Sequence, residues 1–243
     1  MILLLAGTME ARNLAGMLAQ SGIDCIASLA GVTESPAPYP VETRVGGFGG
    51  AEGFEAFLDA QEITAVIDAT HPFATEITRR TAKICAARGL PYLRFERREW
   101  RSRQGDAWHE AADIADLARI IPPRQRIFLA TGRQTVDQMG HLEHAYIWAR
   151  VVDAPSEPFP LENGAWVVGR PPFSQAAEEA LFAELRPDWL VVKNAGGASG
   201  RAKLDAARAL GMSVAMIARP PAPEGITRRE DVLDALEWAE AHA

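Results

Sequence analysis

The residues able to do chemistry lie in short polar or glycine-rich runs, each directly behind an apolar stretch. Asp68-Ala69-Thr70-His71-Pro72-Phe73 brings an acid, a hydroxyl and an imidazole together. Imidazole titrates near neutral pH, so His71 suits contact with a substrate, orientation of a nicotinamide or relay of a proton. Equally open is a local role, in which Asp68 and His71 only hydrogen-bond their own turn. Pro72 keeps His71 extended and starts a helix at a favourable position.

Two glycine-bearing turns suit an anion. Gly7-Thr8 ends the first apolar run. The glycine permits a tight turn, the following helix aims N–H groups at whatever lies above, and the Thr8 hydroxyl either donates to a phosphate or caps the helix. Gly46-Gly47-Phe48-Gly49-Gly50 lets backbone amides approach a ligand closely, and Phe48 in its midst argues against a loose linker. The second apolar run ends Ser28-Leu29-Ala30-Gly31-Val32, with no Asp or Glu to bind a ribose diol. That absence favours a 2′-phosphate, hence NADPH over NADH, with Arg44 as the cation partner.

In the second half, Arg133, Arg170, Lys193 and Lys203 fall at or just beyond apolar runs. Converging, they would give an acidic protein a local basic site for a polycarboxylate; singly, each is an ordinary solvated charge. Lys193-Asn194-Ala195-Gly196-Gly197 also places a glycine pair before a helical pattern, a second candidate anion nest.

These runs need strands and helices to position them. Ile2–Leu5, Cys25–Leu29, residues 41–45 and Ala65–Asp68 read as strands, and the runs 2–5, 25–29 and 65–67 are largely apolar without polar alternation, as expected of strands covered by helices on both faces. Helical patterns over residues 10–20, 51–60 and 75–88 separate them, with Gly22 and Gly89 as C-caps. After the charge-rich stretch 95–107, where Trp100 is the candidate for exposure, the alternation resumes. Strands are predicted at 126–130, 145–152, 165–168, 189–192 and 214–217, and helices at 174–185, 198–210 and 229–241. This pattern predicts an α/β protein with parallel sheets and two domains, 1–100 and 101–243.

Composition narrows the function. The 243 residues are 48% hydrophobic and 23% charged, with a formal net charge of −7, a balance that argues against nucleic acid as the main partner. The apolar opening is too short and too poor in basic residues for a signal peptide, and nothing needs a membrane. The two cysteines, Cys25 and Cys85, lack metal-ligand spacing and fit a reduced, cytoplasmic protein.

Taken in order, LLAGTMEARNLA, RVGGFGG, DATHPFA, TGR, GRPPF, KNAGG and MIARP resemble the precorrin-6A reductases of cobalamin biosynthesis over nearly the whole chain. Pro171 stands where a Gly is expected and Ala195 where a Ser is expected. The resemblance implies two Rossmann-like domains flanking a cleft, and reduction of a corrin-ring precursor, precorrin-6A, by hydride from NADPH without a metal. It implies cofactor binding by Gly7, Thr8, Arg44, Gly46, Gly47, Phe48, Gly49, Thr70 and His71, with His71 as the catalytic candidate. The tetrapyrrole carboxylates would meet Arg133, Arg170, Lys193, Asn194, Gly196, Gly197 and Lys203. A cobalt-loaded ring as substrate, or a non-enzymatic module that binds a dinucleotide or tetrapyrrole, are the alternatives.

Overall fold

The computed structural model describes residues 1–31 and 37–243; Val32, named above, lies outside them. The chain forms two compact units, Met1–Arg98 with Pro220–Ala243, and Glu99–Arg219. In the first unit the order is β1 (Ile2–Leu5), α1 (Met9–Gln20), β2 (Cys25–Leu29), β3 (Glu42–Val45), α2 (Ala51–Ala60), β4 (Ala65–Asp68), α3 (Thr75–Arg88) and β5 (Tyr92–Phe95). The second unit contains β6 (Trp108–Ala111), α4 (Leu117–Ile120), β7 (Arg126–Ala130), two 3-10 turns at Arg133–Thr135 and Asp137–His141, β8 (Tyr146–Val151) and β9 (Gly164–Val168). It continues with α5 (Gln175–Leu185), β10 (Trp189–Lys193), α6 (Ala202–Ala209) and β11 (Ser213–Ile217), and the chain then returns to the first unit as β12 (Thr227–Arg229) and α7 (Val232–Glu240).

Each unit is a six-stranded parallel sheet, ordered β12-β5-β4-β1-β2-β3 in the first and β6-β11-β10-β7-β8-β9 in the second. In both, the chain winds one way from a central strand and then jumps to that strand's other side. The reversal falls between β1 and β4 and between β7 and β10, where strand ends diverge into a crevice.

Burial explains the apolar strands. Ile2 and Leu4 pack with Leu14, Leu18, Ala235 and Ala239 of α1 and α7, while Leu3 and Leu5 pack with Phe54, Leu58, Ile84 and Cys85 of α2 and α3. Alternate side chains of one strand thus feed two cores, and no polar position survives in between. Both cysteines are free and buried, which pushes their thiols up to about 12. No helix among the described residues is long and apolar enough to cross a membrane.

The expected boundary needs one correction: residues 101–243 are not a single domain, because Pro220–Ala243 folds with the first unit. Polar Thr227–Arg229, read from sequence as leading into a helix, instead pairs with β5, Thr227 opposite Leu93 and Arg229 opposite Phe95. Behind it, Ala235 and Ala239 of α7 are completely buried. Ending the chain at Arg219 should therefore abolish the cooperative unfolding of the first unit while the second unit keeps its own. Urea unfolding followed by circular dichroism would show this; two intact transitions in the truncated protein would refute it.

Candidate functional site

At the end of β1 the backbone turns through Gly7, at φ +127°, into the N-terminus of α1. Thr8 is the N-cap: its Oγ1 accepts from Ala11 N at 3.1 Å and donates to the Ala69 carbonyl at 2.9 Å. The expected gift of the Thr8 hydroxyl to a phosphate is thereby corrected. Its only proton is committed to the β4–α3 turn, and the side chain ties the two sides of the crevice together. The Gly7 N–H meets the Tyr39 hydroxyl at 3.2 Å, which also lies 3.3 Å from the Thr8 carbonyl. Tyr39 is a crevice residue that sequence reasoning missed.

The β4 side is built on a buried ion pair. Asp68, inaccessible to solvent, receives Arg94 Nη1 at 2.6 Å, Thr70 N at 3.0 Å, Thr70 Oγ1 and Thr78 Oγ1 at 2.6 Å each, and Tyr92 Oη at 2.9 Å. Burial first, and the neighbouring Asp68 carboxylate second, push the Tyr92 phenol up, so it stays a neutral donor. Arg94 in turn reaches the Thr70 carbonyl at 3.2 Å and Glu96 Oε2 at 3.3 Å, and Glu96 Oε1 takes Arg228 Nη2 at 2.6 Å. Thr70 is thus fixed in place by its side chain and backbone alike. His71, one residue further, is exposed at the rim, and its Nδ1 accepts from Phe73 N at 3.3 Å. Asp68 and His71 thus both hydrogen-bond their own turn, as the local reading of the stretch required, and the His71 ring is exposed as well.

Two recesses open on this network. A shallow groove is lined by Thr8, Glu10, Ala69, Thr70, Pro72, Phe95, Glu96 and Arg97. A cleft of about 100 Å³ lies between Pro72, Thr75, Thr78, Arg79, Arg94 and Glu96 on one side and Pro220-Pro221-Ala222-Pro223 on the other.

The glycine-rich loop is held, not slack. Arg44 Nη1 donates to Ser28 Oγ at 2.7 Å and the Gly46 carbonyl at 3.0 Å, and Nη2 donates to the Gly47 carbonyl at 3.0 Å. The guanidinium stacks over Phe48, 4.1 Å from its centroid, and Phe48 packs edge-on against Phe54 and Phe57. Phe48 is therefore the loop's apolar anchor. A first side-chain carbon built at Gly46, Gly47 or Gly49 would meet nothing within 4 Å beyond its chain neighbours, so the loop is open at these positions.

In the second unit the structure brings some candidates together and separates others. Val192 pairs with Ala130, so Lys193 and the Thr131–Arg133 turn leave adjacent strands side by side. Arg133 is exposed, and partial burial pulls the Lys193 ammonium down. Arg170 does not join them: it follows β9, three strand spacings from β10, and pairs with Asp153 at 2.7 Å. Lys203 donates to the Gly200 carbonyl at 2.8 Å and lies over Trp100.

Asn194 is corrected from ligand contact to internal clamp. Its amide accepts from Trp100 N at 2.9 Å and donates to Trp100 O at 3.1 Å, and the Gly197 carbonyl takes the indole N–H at 2.6 Å. Trp100, the candidate for exposure, is 8% exposed in this socket. Gly196, at φ +69°, and Gly197, at φ +78°, shape the socket's turn. Another residue missed in sequence is Arg150, which forms a two-pronged pair with buried Glu178 at 2.7 Å on both oxygens.

Removing Arg94 strands a buried carboxylate. Arg94→Ala is expected to cost about 3–5 kcal/mol of stability, whereas Thr8→Val, which loses a cap, should cost about 1 kcal/mol. Denaturant unfolding of each variant measures both, and an Arg94→Ala loss no larger than that of Thr8→Val would contradict the assigned roles.

Comparison with known proteins agrees with this geometry. The family model described as precorrin-6x reductase CbiJ/CobK matches residues 1–240. A precorrin-6A reductase of Rhodococcus erythropolis is 45% identical over 239 residues, covering 98% of this chain and 96% of its own. One from Mycobacterium tuberculosis H37Rv is 42% identical, with the same shares covered. The solved structure of CobK precorrin-6A reductase superimposes with a TM-score of 0.94 at 36% identity, covering 100% of this chain and 96% of that one. With two doubly wound sheets and a near full-length match, the chain belongs to the precorrin-6x reductase family.

Proposed function

We propose that the protein reduces precorrin-6A by hydride transfer from NADPH, the first unit holding the dinucleotide and the second the tetrapyrrole. The observation that carries the reading is the β1/β4 crevice. A side-chain carbon built at Gly7 would meet nothing within 4 Å beyond its chain neighbours, while the Gly7 N–H itself is met by Tyr39. Backbone N–H groups at the start of α1 face a phosphate well. Among the described residues, the end of β2, from Ser28 to Gly31, offers no carboxylate for a ribose diol, which supports NADPH over NADH. These residues fit a nicotinamide dinucleotide phosphate.

The bound nicotinamide supplies the hydride. The chain's own part is to orient and to shield. Gly7 and the Gly46–Gly49 loop approach the nucleotide, and the Thr8–Ala69 bond fixes the two turns between which it lies. Thr70, immobilised by Asp68 and Arg94, sets the position from which His71 projects. In the second unit, Arg133 and Lys193 at the β7/β10 crevice offer charge to carboxylates of the ring, and a carboxylate beside half-buried Lys193 favours its charged form.

Loss of reduced-nicotinamide absorbance on addition of precorrin-6A, with NADH as control, tests the activity directly. No turnover with precorrin-6A but turnover of the cobalt-loaded ring would reassign the substrate; ligand binding without consumption of NADPH would make the protein a binding module. His71→Ala is expected to lower kcat roughly 10²-fold or more, the usual contribution of a positioned acid or base, with the NADPH dissociation constant little changed. Normal turnover at saturation would remove His71 from the chemistry.

A further inference from the structure

Two arginines of the first unit, Arg44 beside the glycine loop and Arg12 beside Tyr39, are engaged in different ways. Arg44 spends its donors inside the protein, on Ser28, Gly46 and Gly47. Those bonds have a directional consequence. Each peptide is planar and trans, so turning the Gly46 and Gly47 carbonyls toward Arg44 turns the N–H groups of Gly47 and Phe48 the other way, toward the open face. Gly53 completes the arrangement from α2: a side-chain carbon there would sit 1.8 Å from the Phe48 carbonyl oxygen, so only glycine lets the loop lie this close to the helix.

Arg12, in the first turn of α1, is engaged with none of this. Its guanidinium lies over the Tyr39 ring, 5.2 Å from the centroid, and its Nε is buried without a hydrogen-bond partner. Among the described residues it makes no ion pair, whereas Glu10, two positions earlier, is paired with Arg97 at 2.6 Å. Tyr39 in turn stands on the Gly7 turn. Among the described residues, then, no carboxylate pairs with this cation, which is held beside the dinucleotide turn on the helix that leads to β2.

We propose that Arg12 is the specificity-determining residue that reads the 2′-phosphate of the cofactor, and that Arg44 and Gly53 are positioning residues for the glycine loop. This rests on the dinucleotide reading given above and replaces the assignment of the 2′-phosphate to Arg44. A guanidinium with free donors forms charge-assisted bonds to a phosphate; one already shared among a hydroxyl and two carbonyls would have to abandon the loop to do so.

Calorimetric titration of the full-length protein with NADPH, NADH and adenosine 2′,5′-bisphosphate tests the division, with thermal melts reporting the fold of each variant. Arg12→Gln should weaken NADPH and the bisphosphate by roughly tenfold or more, the scale of a lost charge-assisted bond, and leave NADH unchanged; Arg12→Lys should recover part of the loss. Arg44→Gln and Gly53→Ala should weaken NADPH and NADH in equal proportion. The proposal is overturned if Arg12→Gln leaves the NADPH-to-NADH ratio intact, or if Arg44→Gln collapses that ratio. Should the loop variants fail to fold, the Arg12 pair decides alone. Wild-type protein that binds both dinucleotides equally overturns this inference and leaves the dinucleotide reading standing, whereas binding of neither overturns both.

Discussion

The pairing of Arg94 with Asp68 is the constraint on which the crevice of the first unit depends. Two charges withdrawn from water each carry a desolvation cost of several kcal/mol, and the mutual attraction offsets it only when the remaining polar atoms are also matched. Here they are. Asp68 is surrounded by donors from its own turn, from α3 and from β5, and Arg94 passes on to Thr70 and Glu96. The partners come from the β4–α3 turn, from α3 and from β5, so the network fixes the relative positions of these elements more sharply than apolar contacts do. Through Glu96 and Arg228 it also reaches the last strand of the sheet, which makes the returning C-terminal segment part of the crevice's foundation.

The two units repeat one winding scheme but fill it differently. Each sheet has an outermost strand beyond the five of the doubly wound core: β12 beside β5 in one and β6 beside β11 in the other. One is recruited from after the second unit, and the other precedes its own core. The switch points diverge in chemistry as well. The first is lined by a cap, a buried carboxylate–guanidinium pair and glycines; the second presents cations, with the Asn194–Gly197 turn given over to seating Trp100. A repeated scaffold thereby supplies two chemically distinct faces.

The strands buried on both faces were legible because two covering helix layers leave no polar position, as in Ile2–Leu5. Tyr92–Phe95 was not, because Arg94 interrupts it, and the reason an arginine is tolerated there is Asp68 on the neighbouring strand. Thr227–Arg229 was hidden for the opposite reason: an edge strand exposed throughout carries no apolar signature. Among site residues, position was easier to read than role. Arg44 and Asn194 were singled out for their place at strand ends, yet their partners are loop carbonyls in one case and a tryptophan 94 residues away in the other. Such roles depend on where backbone groups point and on contacts remote in sequence, and neither leaves a mark on local spacing.

The Tyr39 hydroxyl at the Gly7 N–H changes what occupancy of that turn means. In its absence the turn's donor would face solvent, and a ligand oxygen would replace water there. With the phenol in place, a ligand oxygen at that donor competes with a tethered acceptor that is always present at the same effective concentration. The free energy available at this point is then the difference between two protein-bound states, not the full strength of a new bond. A turn arranged in this way releases its ligand without leaving a backbone donor unmet, a useful property in an enzyme that must exchange its nucleotide on every cycle.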